Sequence, residues 1–77
     1  MYGRFADVLL YLSDEIHNTR KFDLLLSRQE LAELAGMSRE NTARALTHFK
    51  REGIIDIDGR KLEILKSDLL KQISKNG

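Results

Sequence analysis

Apolar residues recur at spacings of three and four over 4–18, where Phe5, Val8, Leu9, Leu12 and Ile16 fall on one stripe and Asp7, Asp14 and Glu15 lie off it. This is the period of a helix that buries a single face, so an amphipathic helix is expected there. The polar stretch 18–21 reads as a loop. The apolar run 22–26 is too short for an independent helix and could add an edge strand.

Helical spacing returns at Ser27, which opens an S-x-x-E capping box with Glu30. The serine oxygen can accept an otherwise unpaired amide, while the glutamate reaches back to the amide of the cap. The expected buried face of this helix is Leu31, Leu34 and Ala35, and Gly36 sits where the chain must leave it in a left-handed conformation. Two residues later Ser38 caps a second helix, expected to run to about Glu52 before Gly53 ends it. So short a turn favours a fixed crossing of the two helices.

Beyond Gly53 the period changes to that of strands. Ile54-Ile55-Asp56-Ile57 and Leu62-Glu63-Ile64-Leu65 flank an Asp58-Gly59 pair suited to a tight turn, which predicts a β-hairpin over 54–65 with a basic flank at Arg60-Lys61. Ser67 and Asp68 can cap a last short helix over 67–74, with Leu69, Leu70 and Ile73 available for packing. The expected fold class is mostly α with a small β-hairpin (α+β), a winged helix-turn-helix. No repeat or linker divides the chain, so 1–77 reads as one domain with a helix at 4–18, a helix-turn-helix at 27–53 and a wing at 54–65.

Composition then narrows the chemistry. Seventy-seven residues suffice for one small core. The absence of cysteine excludes a disulfide framework, a thiolate zinc site and a catalytic thiol. No apolar run is long enough to span a membrane and no basic-then-apolar leader opens the chain, so a cytoplasmic protein without membrane contact is expected. His17, near the end of the first helix, reads as exposed or dipole-stabilised, and His48 as solvent-facing or phosphate-adjacent. With no phosphate loop, no H-E-x-x-H and no convergent histidine and carboxylate set, neither an enzyme nor a cofactor or metal in this chain is expected. The net charge of +1 is low for a nucleic-acid binder, so position must carry the case. Between Arg39 and Lys61 the basic residues are Arg39, Arg44, Lys50, Arg51, Arg60 and Lys61, against Glu40, Glu52, Asp56 and Asp58.

On the second helix Thr42, Ala45, Leu46 and Phe49 cluster on one side, and Arg39, Glu40, Ala43, Arg44, Thr47 and Arg51 spread over the other. An arginine fork matches O6 and N7 of guanine, a glutamate accepts from N4 of cytosine, and the short Ala43 and Thr47 let a helix approach base edges. Arg39 and Glu40 lie in the first turn, where a recognition helix enters the major groove, and Arg44 follows a turn later. Ser27, Thr47 and Arg51, with Arg60 and Lys61 on the wing, are the residues expected at the DNA backbone. The same features have plainer readings: Glu40 and Arg44 form a favourable i,i+4 pair on a solvated face, and Arg60 and Lys61 solubilise a turn. A winged helix that binds protein rather than DNA is the competing function.

The segments SRQELAELAGMSRENTARAL and FKREGII, with Arg4-Phe5-Ala6 upstream, resemble the C-terminal DNA-binding domain of the Crp/Fnr family of bacterial transcription regulators. The resemblance implies a winged helix-turn-helix in which Arg39, Glu40 and Arg44 read G·C pairs in each half of a palindromic double-stranded site, and Ser38 touches a backbone phosphate. It further implies a homodimer in the full-length protein, an upstream sensor domain with its own effector, and admits RNA polymerase as a further partner.

Overall fold

The structure is a computed structural model that describes residues 2–76; the side chain of His17 lies outside the described part. The first helix, α1 (Gly3–Tyr11), buries Phe5, Ala6, Val8 and Leu9. It continues into a wider π-helical segment, Leu12–His17, that closes at Asn18 in a left-handed conformation with φ 54°. The wider turn changes which residues face inward. Leu12 and Ser13 are buried, while Ile16, expected on the buried stripe, is 55% exposed. Polar bonds anchor the segment: the Ser13 hydroxyl donates to the Thr19 carbonyl at 2.7 Å, Arg20 donates to Ser13 Oγ at 3.1 Å, and Arg20 also pairs with Asp14.

An edge strand does follow, but as β1 (Lys21–Asp23) rather than 22–26. Phe22 and Leu24 alternate into the core whereas Leu25 is 74% exposed, because the chain must swing out to begin the next helix at Ser27. The hairpin strands are β2 (Ile55–Asp58) and β3 (Lys61–Ile64), one residue shorter at each outer end than expected. All three strands form one antiparallel sheet in the order β1-β3-β2. Its inner face carries Phe22, Ile55, Leu62 and Ile64.

The helix-turn-helix consists of α2 (Arg28–Ala35) and α3 (Arg39–Arg51). α2 buries Leu31, Ala32 and Ala35, and Leu34 is 52% exposed instead of packing. At about 100° per residue, positions 31, 35 and 32 sweep one arc, and Leu34 falls outside it. The last helix, α4 (Ser67–Asn76), lies along α1. Leu70 is fully buried there and Ser74 donates a hydrogen bond to Asp7, while Leu69, expected to pack, is 39% exposed. One core therefore joins all the elements around Phe5, Leu9, Leu31, Phe49, Leu62 and Leu70. Each fully buried Leu or Phe contributes about 1.5–3 kcal/mol.

Candidate nucleic-acid interface

Local bonds fix the position of α3 before any packing is considered. The capping box forms at Ser27: its Oγ accepts from the Glu30 amide at 3.1 Å, and its own amide donates to Glu30 Oε1 at 3.0 Å. At the other end of α2 the Gly36 amide donates to Glu33 O at 3.2 Å and the Met37 amide to Ala32 O at 2.9 Å. With Gly36 at φ 66°, this is a Schellman stop. Only Met37 then intervenes before Ser38, whose Oγ accepts from the Asn41 amide at 3.1 Å and starts α3. α3 closes in the same way, with Gly53 N–H on Lys50 O at 3.1 Å and Ile54 N–H on Phe49 O at 2.9 Å.

The two faces of α3 separate as the spacing predicts. Thr42, Ala45, Leu46 and Phe49 are buried, and Arg39, Glu40, Ala43, Arg44, Thr47 and Arg51 are exposed. The helix stands as a ridge between two hollows. One, of about 360 Å³, is lined by Tyr2, Ala43, Arg44, Thr47, His48 and Arg51. The other, of about 250 Å³, is lined by Arg28, Ala43, Leu46, Thr47, Lys50 and Ile57. Ala43 and Thr47 belong to both, so the crest carries short side chains and the flanks carry cations.

The expected backbone residues divide into groups. Thr47 and Arg51 share the first hollow with Arg44. Ser27 and Arg60, far apart in the chain, meet with Arg28 and Gly59 around a third hollow of about 310 Å³, where the start of α2 faces the wing tip. Ser38 is exposed at the start of α3. Both capping serines use Oγ as an acceptor, which leaves each hydroxyl proton to donate outward. Lys61 has different surroundings. It stands in register between Asp23 on β1 and Asp58 on β2, while the neighbouring row is Lys21, Glu63 and Asp56. The outer face of the sheet is thus a ladder of two lysines and four carboxylates.

Arg28 and Lys50, which carry no assigned role in the sequence reading, both line the hollow of about 250 Å³ beside the crest of α3. Arg28 could have been found from its position as the first helical residue after the Ser27 cap, beside the free amides of a helix start. Among the described residues no group of three or more His, Asp or Glu is placed to hold a metal ion, and no helix is long and apolar enough to cross a membrane.

Two crossed helices joined by a three-residue turn, the second exposed and a β-hairpin beside it, define a winged helix-turn-helix domain. The chain belongs to the Crp-like helix-turn-helix domain family, whose pattern it matches over residues 3–73. It is 32% identical over 74 residues to the transcriptional regulatory protein btr of Bordetella pertussis, a match covering 91% of this chain and 31% of that protein. The catabolite activator protein of Thermus thermophilus superposes with a TM-score of 0.77 at 31% identity, over 95% of this chain and 33% of that one. FixK2 of Bradyrhizobium japonicum shares the fold with a TM-score of 0.85 at 24% identity, over 92% of this chain and 36% of that one. The chain thus spans about a third of the length of these relatives.

Proposed function

We propose that this domain binds double-stranded DNA as the reading unit of a bacterial transcription regulator. α3 enters the major groove, Arg39 and Arg44 present their forks to guanine, and Glu40 accepts from cytosine. Ser27, Ser38, Thr47, Arg51, Arg60 and Lys61 contact phosphates and set the register. The observation that carries this reading is the crest of α3, where Ala43 and Thr47 leave room for base edges between the exposed Arg39, Glu40 and Arg44. Since one domain meets one half-site, the full-length protein acts as a homodimer on a palindrome, in the cytoplasm where the DNA lies.

The test is a titration with a palindromic G·C-containing duplex and with a scrambled duplex, each at two salt concentrations. A DNA binder shows a log–log salt slope of about −0.9 per phosphate contacted. Arg44→Ala or Glu40→Ala is expected to lose about 1–3 kcal/mol on the palindrome and to relax base preference. Equal losses on both duplexes would remove the base-reading assignment, and a salt-independent affinity would favour a protein partner.

A further inference from the structure

We propose that Tyr2 and His48 complete a phosphodiester seat on the flank of α3, and that His48 takes up a proton when DNA fills it. This rests on the DNA-binding reading above and adds two residues that it does not use. The seat is the hollow of about 360 Å³ lined by Tyr2, Ala43, Arg44, Thr47, His48 and Arg51. No lining residue is a carboxylate. Two guanidinium groups, an imidazole, a hydroxyl and a phenol can all donate to an anionic oxygen. The Tyr2 ring stacks on His48 with centroids 4.9 Å apart and planes 20° from parallel, and meets Phe49 edge-on at 5.7 Å and 66°. Because Phe49 is fully buried, this stack holds the imidazole at the cavity wall.

A phosphodiester is anionic on both sides of neutrality, whereas an imidazole changes charge near it. An anion close to a histidine favours its charged form, so DNA and a proton bind cooperatively. Of the charged groups around His48, Arg44 and Arg51 share the cavity, and Glu52 caps the C-terminal end of α3 four residues on. The preceding segment contributes the phenol of Tyr2, while Arg4 and Asp7 of α1 line a separate hollow against Glu33 and Gly36.

The experiment is a fluorescence-anisotropy titration of the protein with a labelled duplex of scrambled sequence, at about pH 5.5 and about pH 8, on either side of neutrality. The wild-type protein is expected to bind roughly fivefold tighter at the lower pH, with a log–log salt slope steeper by about 0.9, one additional phosphate neutralised. His48→Gln removes both differences and His17→Gln keeps them. Tyr2→Phe retains the stack but weakens binding about threefold at both pH values, the scale of one hydrogen bond. The wild-type salt slopes and Tyr2→Phe test the seat even if His48→Gln does not fold. Duplex binding without pH dependence, or pH dependence that survives in His48→Gln, overturns the seat and leaves the DNA reading intact. No duplex binding at either pH overturns both.

Discussion

Replacing Gly36 by alanine tests whether the turn between α2 and α3 is set by backbone conformation or by its neighbours. Gly36 holds φ 66° and ψ 35°, where a Cβ costs about 1–2 kcal/mol. Alanine also restricts the unfolded chain, which offsets about 0.4–1 kcal/mol of that cost. The added Cβ would lie 2.8 Å from Nη1 of Arg4. Arg4 is exposed and meets it with the far end of a flexible side chain, so the guanidinium swings aside at little cost. The net loss is therefore expected to be about 1 kcal/mol, a fall in Tm of roughly 4–8 °C for a domain of this size. Gly59→Ala is the matched control, since φ is 62° there and nothing lies within 4 Å of the added Cβ. Thermal and urea unfolding followed by circular dichroism should place the two variants within about 0.5 kcal/mol of each other. A Gly36→Ala protein as stable as wild type would refute the backbone argument. A loss several times that of Gly59→Ala would show instead that Arg4 is locked against the turn.

Other perturbations test other parts of the fold. The Thr42 hydroxyl is buried and has no hydrogen-bond partner among the described residues, so Thr42→Val is expected to stabilise by about 1 kcal/mol in the same unfolding assay. Leu31→Ala should cost about 2–5 kcal/mol because Leu31 is fully buried, whereas Leu34→Ala should stay within about 0.5 kcal/mol of wild type. On the wing, Arg60→Ala should weaken binding to every duplex and flatten the salt slope by about 0.9. Lys61→Ala should do so by less than half as much, since Lys61 stands in register between the carboxylates of Asp23 and Asp58, whose negative charge opposes a phosphate there.

The helix-turn-helix was legible in the chain because its determinants are local. Ser27 with Glu30, Gly36, Ser38 and Gly53 each act on backbone groups within a few residues, so spacing alone locates both helices and the turn. The division of α3 into packed and exposed sides follows from a uniform period, which α3 keeps throughout. The expected buried stripe breaks where the period changes. The π-helical segment displaced Ile16 from the buried stripe, and its anchor is a bond from Ser13 to Thr19 that no hydrophobic pattern records. Leu34 departs from its expected burial because an apolar residue at the edge of a helical arc is buried only where a neighbouring element covers it, and Leu34 is left half exposed. The pairing of Lys61 with Asp23 and the stacking of Tyr2 on His48 join residues far apart in the chain, so only tertiary structure reveals them. The alternation of β3 does show that Lys61 and Glu63 share a face, but not which charges oppose them.

The charge ladder on the sheet also bears on how copies of this domain can meet. β2 is an outer strand, and its exposed side chains are Asp56 and Asp58. A second copy adding its own β2 antiparallel to that strand would bring two pairs of carboxylates together, and like charges in opposed positions destabilise such a pairing. The wing therefore resists extension by strand addition. If two copies occupy neighbouring half-sites as proposed above, the carboxylates of β2 keep their sheets separate, and any contact between them falls to surfaces other than this edge.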